Sequence, residues 1–191
     1  MGVDMRTKRT AAFLGGAALI GALVAVPATP AMADTITVST FAELQNAFTD
    51  AASDDTVAVD SEFTETVEVL ELPASKTLTL DVGASFTVPT IQLGAGSNLT
   101  ITSASASTLT VQGGTPALAR IRTTGATLNV DGDVVLSVTA STDAAAIGGD
   151  PGSPGGTVTL GGTAAVTARN SSGTAIGGGS GADGGDHPHH R

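Results

Sequence analysis

The stretch AIGGDPGSPGGTVTLGGTAAVTARNSSGTAIGG, Ala146 to Gly178, carries the phrase AIGG at Ala146 and again at Ala175, 29 positions later. A glycine-rich phrase at a fixed interval marks a chain built by repetition. Between the two copies, TVTL and AAVTA alternate apolar and polar residues with period two, the pattern of short strands with one buried face. Earlier segments have the same form. Leu78-Thr79-Leu80, Leu99-Thr100-Ile101, Leu128-Asn129-Val130 and Val158-Thr159-Leu160 are four versions of one inward, outward, inward triplet, separated by 21, 29 and 30 positions. Val138-Thr139-Ala140 answers Val166-Thr167-Ala168, and Ile147 answers Ile176.

One coil of three short strands fits each unit. Stacked coils let every strand pair with its counterparts above and below, and bury an apolar face that no single repeat could bury alone. The expected fold is therefore all-β, a parallel β-helix (solenoid) of about five or six coils. A β-sandwich also yields many short strands, but it does not predict near-repeated triplets or AIGG at a constant interval. Within AIGG the Ala-Ile pair points into the coil and the glycines turn the corner. A phosphate cradle would need a helix starting after the glycines, and none follows either copy.

The other strand-like segments are TITV, TVAVD, TVEVLEL, KTLTLDV, SFTV, TIQL, NLTIT, TLTV, TLNVDG and VVLSVTA. In TVEVLEL, Val67 and Val69 share one parity and Leu70 and Leu72 the other, so a corner or bulge is expected between Val69 and Leu70. One segment has a helical period instead. In STFAELQNAFTDAASDD, Phe41, Leu44, Ala47, Phe48 and Ala51 form a single stripe behind a Ser39/Thr40 cap, as expected of a short N-terminal helix laid over the open end of a β-structure.

Composition agrees with thin, stacked layers. The 191 residues are 41% hydrophobic, yet Trp and Tyr are absent and only 5 are Phe, so Val, Leu, Ile, Ala and Thr fill the core. There is no Cys, which excludes disulfides and thiolate metal sites.

Residues 1–33 read as a cleaved signal peptide. Arg6, Lys8 and Arg9 form a basic region, Ala11 to Val26 is apolar, and Ala31-Met32-Ala33 supplies the A-x-A site. The apolar run is shorter than the roughly 20 residues that span a bilayer, so secretion or cell-surface display is expected, with no membrane association after cleavage. Three of the 8 Lys and Arg and one of the 18 Asp and Glu precede Asp34, leaving 5 against 17 and a net charge of −12. Nucleic acid is not an expected partner of so acidic a chain. The expected organisation beyond the signal is a cap strand and helix over 34–56, β-helix coils over 57–176, and a disordered glycine- and histidine-rich tail over 177–191. That tail reads as a truncated repeat, the chain being incomplete or ending by an accident of reading frame inside a third glycine-rich unit, which would leave an open coil and implies end-to-end self-association.

TFAELQNAF with its following Asp pair, then TVAVDSEF and KTLTLDVG, resembles the opening of pectate-lyase-like right-handed parallel β-helix proteins. AIGGxxGxxGGTVTLGGTAAVTA resembles the glycine-rich repeats of bacterial secreted and cell-surface proteins. Together the two resemblances cover nearly the whole chain after residue 33. They imply a right-handed solenoid on an exported protein, and they leave activity open, because lyases, hydrolases, adhesins and scaffolds share the fold.

Candidate site residues are few. Arg120 and Arg122 place two guanidinium groups on one strand face, where they either pair with nearby acids or contact an acidic sugar. Asp131, Asp133, Asp150 and Asp183 sit in loops and offer oxygens that calcium as a cofactor could use; they also serve as ordinary turn residues. His187, His189 and His190 lie in the tail, without a scaffold to preorganise them. Glu62, Glu65, Glu68 and Glu71 step by three, which scatters them over alternating faces of an extended chain. Thr77 and Thr79, Asn98 and Thr100, Thr127 and Asn129, and Thr157 and Thr159 would stack into two polar columns. Such a face could order water or meet polysaccharide hydroxyls, or could simply suit solvent-facing β positions. The function expected is a non-enzymatic stalk, adhesive or scaffold touching cell-wall or extracellular polysaccharide. The alternatives are a carbohydrate-binding module and a calcium-dependent pectate-type lyase with Arg122 as base and Asp131 and Asp133 on the ion.

Overall fold

A computed structural model describes residues 33–114, 117–141 and 143–182. Residues 1–32, which hold nearly all of the expected signal peptide, Asp183 and the three histidines lie outside the described residues. Strand β1 (Thr35–Val38) leads into helix α1 (Phe41–Asp50), and five sets of three strands follow. The first coil is β2 (Thr56–Val59), β3 (Phe63–Thr64) and β4 (Leu70–Leu72); the second is β5 (Thr77–Val82), β6 (Phe86–Val88) and β7 (Ile91–Leu93). The third is β8 (Asn98–Thr102), β9 (Thr108–Gln112) and β10 (Ile121–Arg122); the fourth is β11 (Thr127–Val130), β12 (Val135–Ala140) and β13 (Ile147–Gly148). The fifth is β14 (Thr157–Leu160), β15 (Ala165–Asn170) and β16 (Ile176–Gly177).

Corresponding strands form three parallel sheets. The first runs β1-β2-β5-β8-β11-β14, the second β3-β6-β9-β12-β15 and the third β4-β7-β10-β13-β16. The chain is a parallel β-helix, and the four triplets stack in the expected register: Leu78 on Leu99, Leu99 on Leu128 and Leu128 on Val158. Inward positions build continuous aliphatic columns, such as Leu70, Ile91, Ile121, Ile147 and Ile176 along the third sheet. The first four members of that column are fully buried, and each such side chain contributes about 1.5–3 kcal/mol by leaving water. Phe63 and Phe86 stack in the second sheet with ring centroids 4.9 Å apart.

Helix α1 closes the N-terminal end. Phe41, Leu44, Ala47 and Phe48 are buried, and the helix packs on β1, β2 and β4. Thr40 and Glu43 form a reciprocal capping box that satisfies the first free amides. At the other end Lys76 Nζ donates to the carbonyls of Phe48 and Thr49, at 3.3 and 2.7 Å, placing a cation on the negative end of the helix.

Three expectations change. The break expected between Val69 and Leu70 is present, but the half of TVEVLEL before it is not a strand: only Leu70–Leu72 joins the sheet, and Thr66 to Val69 form a corner with Val67 76% exposed. The cause is the carboxylate of Glu65, which accepts from the amides of Thr66, Val67 and Glu68 and curls the chain around itself. Val138 pairs with Ala168 rather than Val166, a shift of two residues. Parity survives that shift, and the 30-residue step set by β11 on β14 simply continues through β12 on β15. Order also extends past residue 176. Gly177 belongs to β16, and the amides of Gly179, Ser180 and Ala182 bond to carbonyls of Ser153, Asp143 and Gly179.

The repeated AIGG now has a physical account. Ile147 and Ile176 stack inside the coil, and Gly148 follows at φ +145. A Cβ on Gly148 would stand 1.7 Å from the carbonyl oxygen of Gly177, so side-chain-free backbone is needed where successive coils touch. Gly152, at φ +75 in the adjoining turn, faces open space. Gly148→Ala is expected to lower stability by more than the ~1–3 kcal/mol of backbone strain alone, and Gly152→Ala by only about 1–2 kcal/mol. Urea midpoints of the two variants check the difference.

Candidate functional site

Arg122 and Asp150 belong to neighbouring coils. Arg122 lies on the outer face of β10, in register with Gln92 and Gly148, while Ile121 beside it is buried. Its Nε is 3.0 Å from Asp150 Oδ2, and the other carboxylate oxygen accepts from the Ala119 amide at 2.9 Å. Asp150 therefore ties the loop before β10 to the turn after β13. Arg120 occupies a different setting, just ahead of the strand. It is buried, with Nη1 beside Gly114, and desolvation lowers its pKa from the usual arginine value.

The acidic candidates are dispersed. Asp131 and Asp133 flank the turn between β11 and β12, at the corner joining the first and second sheets, whereas Asp150 is at the corner joining the third and first. Asp131 Oδ1 accepts from the Gly132 amide, and Asp133 Oδ1 from the Thr163 hydroxyl of the next coil. Among the described residues no three His, Cys, Asp or Glu side chains are grouped to hold a metal ion. The set required of a calcium lyase, Arg122 with Asp131 and Asp133, is not brought together. Of the Glu series, Glu65 holds its own corner and Glu71 faces out from β4 beside Gln92. Three backbone amides hold the Glu65 carboxyl below the usual carboxylate range.

What the stacking does assemble is polar and neutral. On the outer face of the first sheet, Thr35, Thr56, Thr79, Thr100, Asn129 and Thr159 share one column, and Thr77, Asn98, Thr127 and Thr157 a second. Asn129 Nδ2 donates to Asn98 Oδ1 at 2.9 Å, joining the two. Coil spacing of about 4.8 Å and a two-residue step of about 6.6 Å give these groups a near-rectangular grid. Along the second column runs an open groove of about 710 Å³, its far wall formed by Gly96, Gly125, Pro154 and Gly155. No charged side chain lines it.

Sequence reading found the last four members of the first column but missed its extension to Thr35 and Thr56, and a further column, Thr64, Thr87, Thr110, Ser137 and Thr167, on the second sheet. The signal was present as hydroxyl residues opening TITV and TVAV and lying between apolar ones in SFTV and TLTV. No family model, no curated protein and no solved structure matches the chain. Among the described residues no helix is long and apolar enough to cross a membrane.

Two outcomes follow from the charged contacts. Asp150→Ala is expected to cost about 1.5–3 kcal/mol, the range for hydrogen bonds to a charged group, and to raise amide exchange at Ala119; Asp150→Asn should retain part of that protection. Protonating Glu65 weakens its three amide bonds, so this corner's contribution is complete above about pH 4.3, the unfolded glutamate value. It is lost as pH falls through the lower folded-state pKa. Exchange at Val67 measured against pH, compared with Glu65→Gln, tests the direction.

Proposed function

We propose that this chain is an exported β-helical scaffold, secreted or displayed at the cell surface, that contacts neutral extracellular polysaccharide as a stalk or adhesive without turning it over. The export element rests on the basic region, apolar run and A-x-A site of residues 1–33 and on the resemblance to glycine-rich surface repeats. The contact element rests on one observation: the grid of hydroxyl and amide groups on the first sheet, with an uncharged groove running along the solenoid axis beside it. An extended glycan lying along that axis would meet equivalent Thr and Asn side chains at every coil. No aromatic residue lines the groove, so binding would depend on many weak hydrogen bonds rather than ring stacking, and on several coils acting together.

The experiment is co-sedimentation with insoluble polysaccharides, including cellulose, chitin and isolated cell wall, at moderate salt. Retention is expected, with Thr127→Lys in the second column weakening it by at least about tenfold, equivalent to about 1.4 kcal/mol. Thr167→Lys on the second sheet should leave it unchanged. Absence of retention on every polymer, or equal retention of both variants, defeats the proposal. Release of unsaturated sugars from pectate in excess calcium would replace it with the lyase reading.

A further inference from the structure

A recess opens at the corner joining the second and third sheets. Only Pro89 and Thr90 separate β6 from β7 in the second coil, whereas residues 65–69 and 113–120 make the same connection in the first and third coils. The short connection leaves a space of about 520 Å³ beside its longer neighbours, walled by Thr66, Thr87, Gln112, Thr139 and Ser141. Among the described residues lining it, Arg120 is the one charged group and there is no carboxylate. Glu65, the acid next to Thr66, has its carboxylate bonded to the amides of Thr66, Val67 and Glu68. Gly114 lines the recess where the guanidinium reaches it. A Cβ there would stand 3.1 Å from Arg120 Nη1 and 2.6 Å from Thr90 Oγ1, and the backbone turns at φ +64. Glycine is required at this position, and no side chain at 114 covers the cation.

We propose that this recess binds a small molecule through a carboxylate or sulfate group, with Arg120 as the counter-charge. An arginine stays protonated throughout the physiological pH range, and its planar fork suits paired oxygens. Arg120 is 4% exposed, so an anion in the recess meets this charge where little water screens it. The threonine and serine hydroxyls and the Gln112 amide supply neutral donors around the cation. An oxyanion leaving water needs such a lining. The volume falls in the range of small-molecule sites, with room for a hydroxylated carrier such as a sugar acid as well as for a free ion. Long polyanions are disfavoured, because the chain holds 18 Asp and Glu against 8 Lys and Arg and repels extended negative charge. The recess is separate from the first-sheet groove and differs from it in kind, since no charged side chain lines that groove.

The test is equilibrium dialysis of the full chain against glucuronate, acetate and inorganic sulfate at low ionic strength, with glucose as the uncharged control. Saturable binding of at least one anion is expected, and none of glucose. Binding of glucuronate alone supports a sugar acid as the source; acetate or sulfate that displaces it equally well supports the free oxyanion. Arg120→Gln should weaken binding at least about tenfold, because it removes the charge from a site that excludes water. Gln112→Glu, at an exposed position of the wall, should also weaken it by adding a like charge. Arg122→Gln on the neighbouring strand and Thr127→Lys in the first-sheet groove should leave it unchanged, the latter separating this site from the glycan-contacting face. Failure of all three anions to bind overturns the proposal, as does glucose binding as tightly as glucuronate. So does binding that survives Arg120→Gln in a folded chain or is lost with Arg122→Gln. If Arg120→Gln fails to fold, Gln112→Glu decides the question.

Discussion

Every feature of this protein hangs on the in-register stacking of aliphatic side chains between coils. A parallel strand pair contributes little alone, and a two-residue strand such as β10 or β13 could not persist without neighbours. Ile121 is held because Ile91 lies below it and Ile147 above it, in one column with Leu70 and Ile176. The same register carries the outer face: once Leu99 sits on Leu78, Thr100 must sit on Thr79. Interior packing therefore determines the polar grid, and the grid costs the fold nothing further.

Corners absorb what the strands cannot. Successive first-sheet strands pair at steps of 21, 23, 21, 29 and 30 residues, yet the register is unbroken. The extra residues of the third coil enter between β9 and β10 rather than within a strand. Each corner is held by local devices: the Glu65 carboxylate over three amides, the Asp150 tie to Arg122 and Ala119, and Gly148 against the backbone of Gly177. Charged groups collect there because an inward charge would be desolvated without compensation. The candidate acids Asp131, Asp133 and Asp150 accordingly stand at two separate corners rather than at one site.

The two ends of a solenoid are its only discontinuities, and this chain treats them differently. At the N-terminal end α1 converts an exposed coil into a buried one, through a capping box and the Lys76 bonds to its last turn. At the other end coil five repeats the architecture with smaller and more exposed residues: Val166 and Ala168 stand where Leu136 and Val138 stand one coil below.

Much was readable from the chain before any coordinates. Period-two alternation, four related triplets and a fixed AIGG interval specify stacked coils, because side-chain parity on a strand is a local property, and the capping box at Thr40 is equally local. The stagger between coils is not local. Val138 opposite Ala168, rather than Val166, preserves parity, and only the accumulated 30-residue step from β11 onward chooses between the two. Thr66 to Val69 alternates like a strand, but the Glu65 carboxylate takes the amides a sheet would need. Arg120 and Arg122 look equivalent in sequence, yet one is buried beside Gly114 and the other is tied to Asp150 some thirty residues away. The sequence alone determined which residues face inward, since that depends on neighbours one or two positions distant. Which residue lies above which, and so which polar groups share a column and which charges meet, was decided by the tertiary structure, because stacking joins positions twenty to thirty residues apart whose spacing is set by the corners between them.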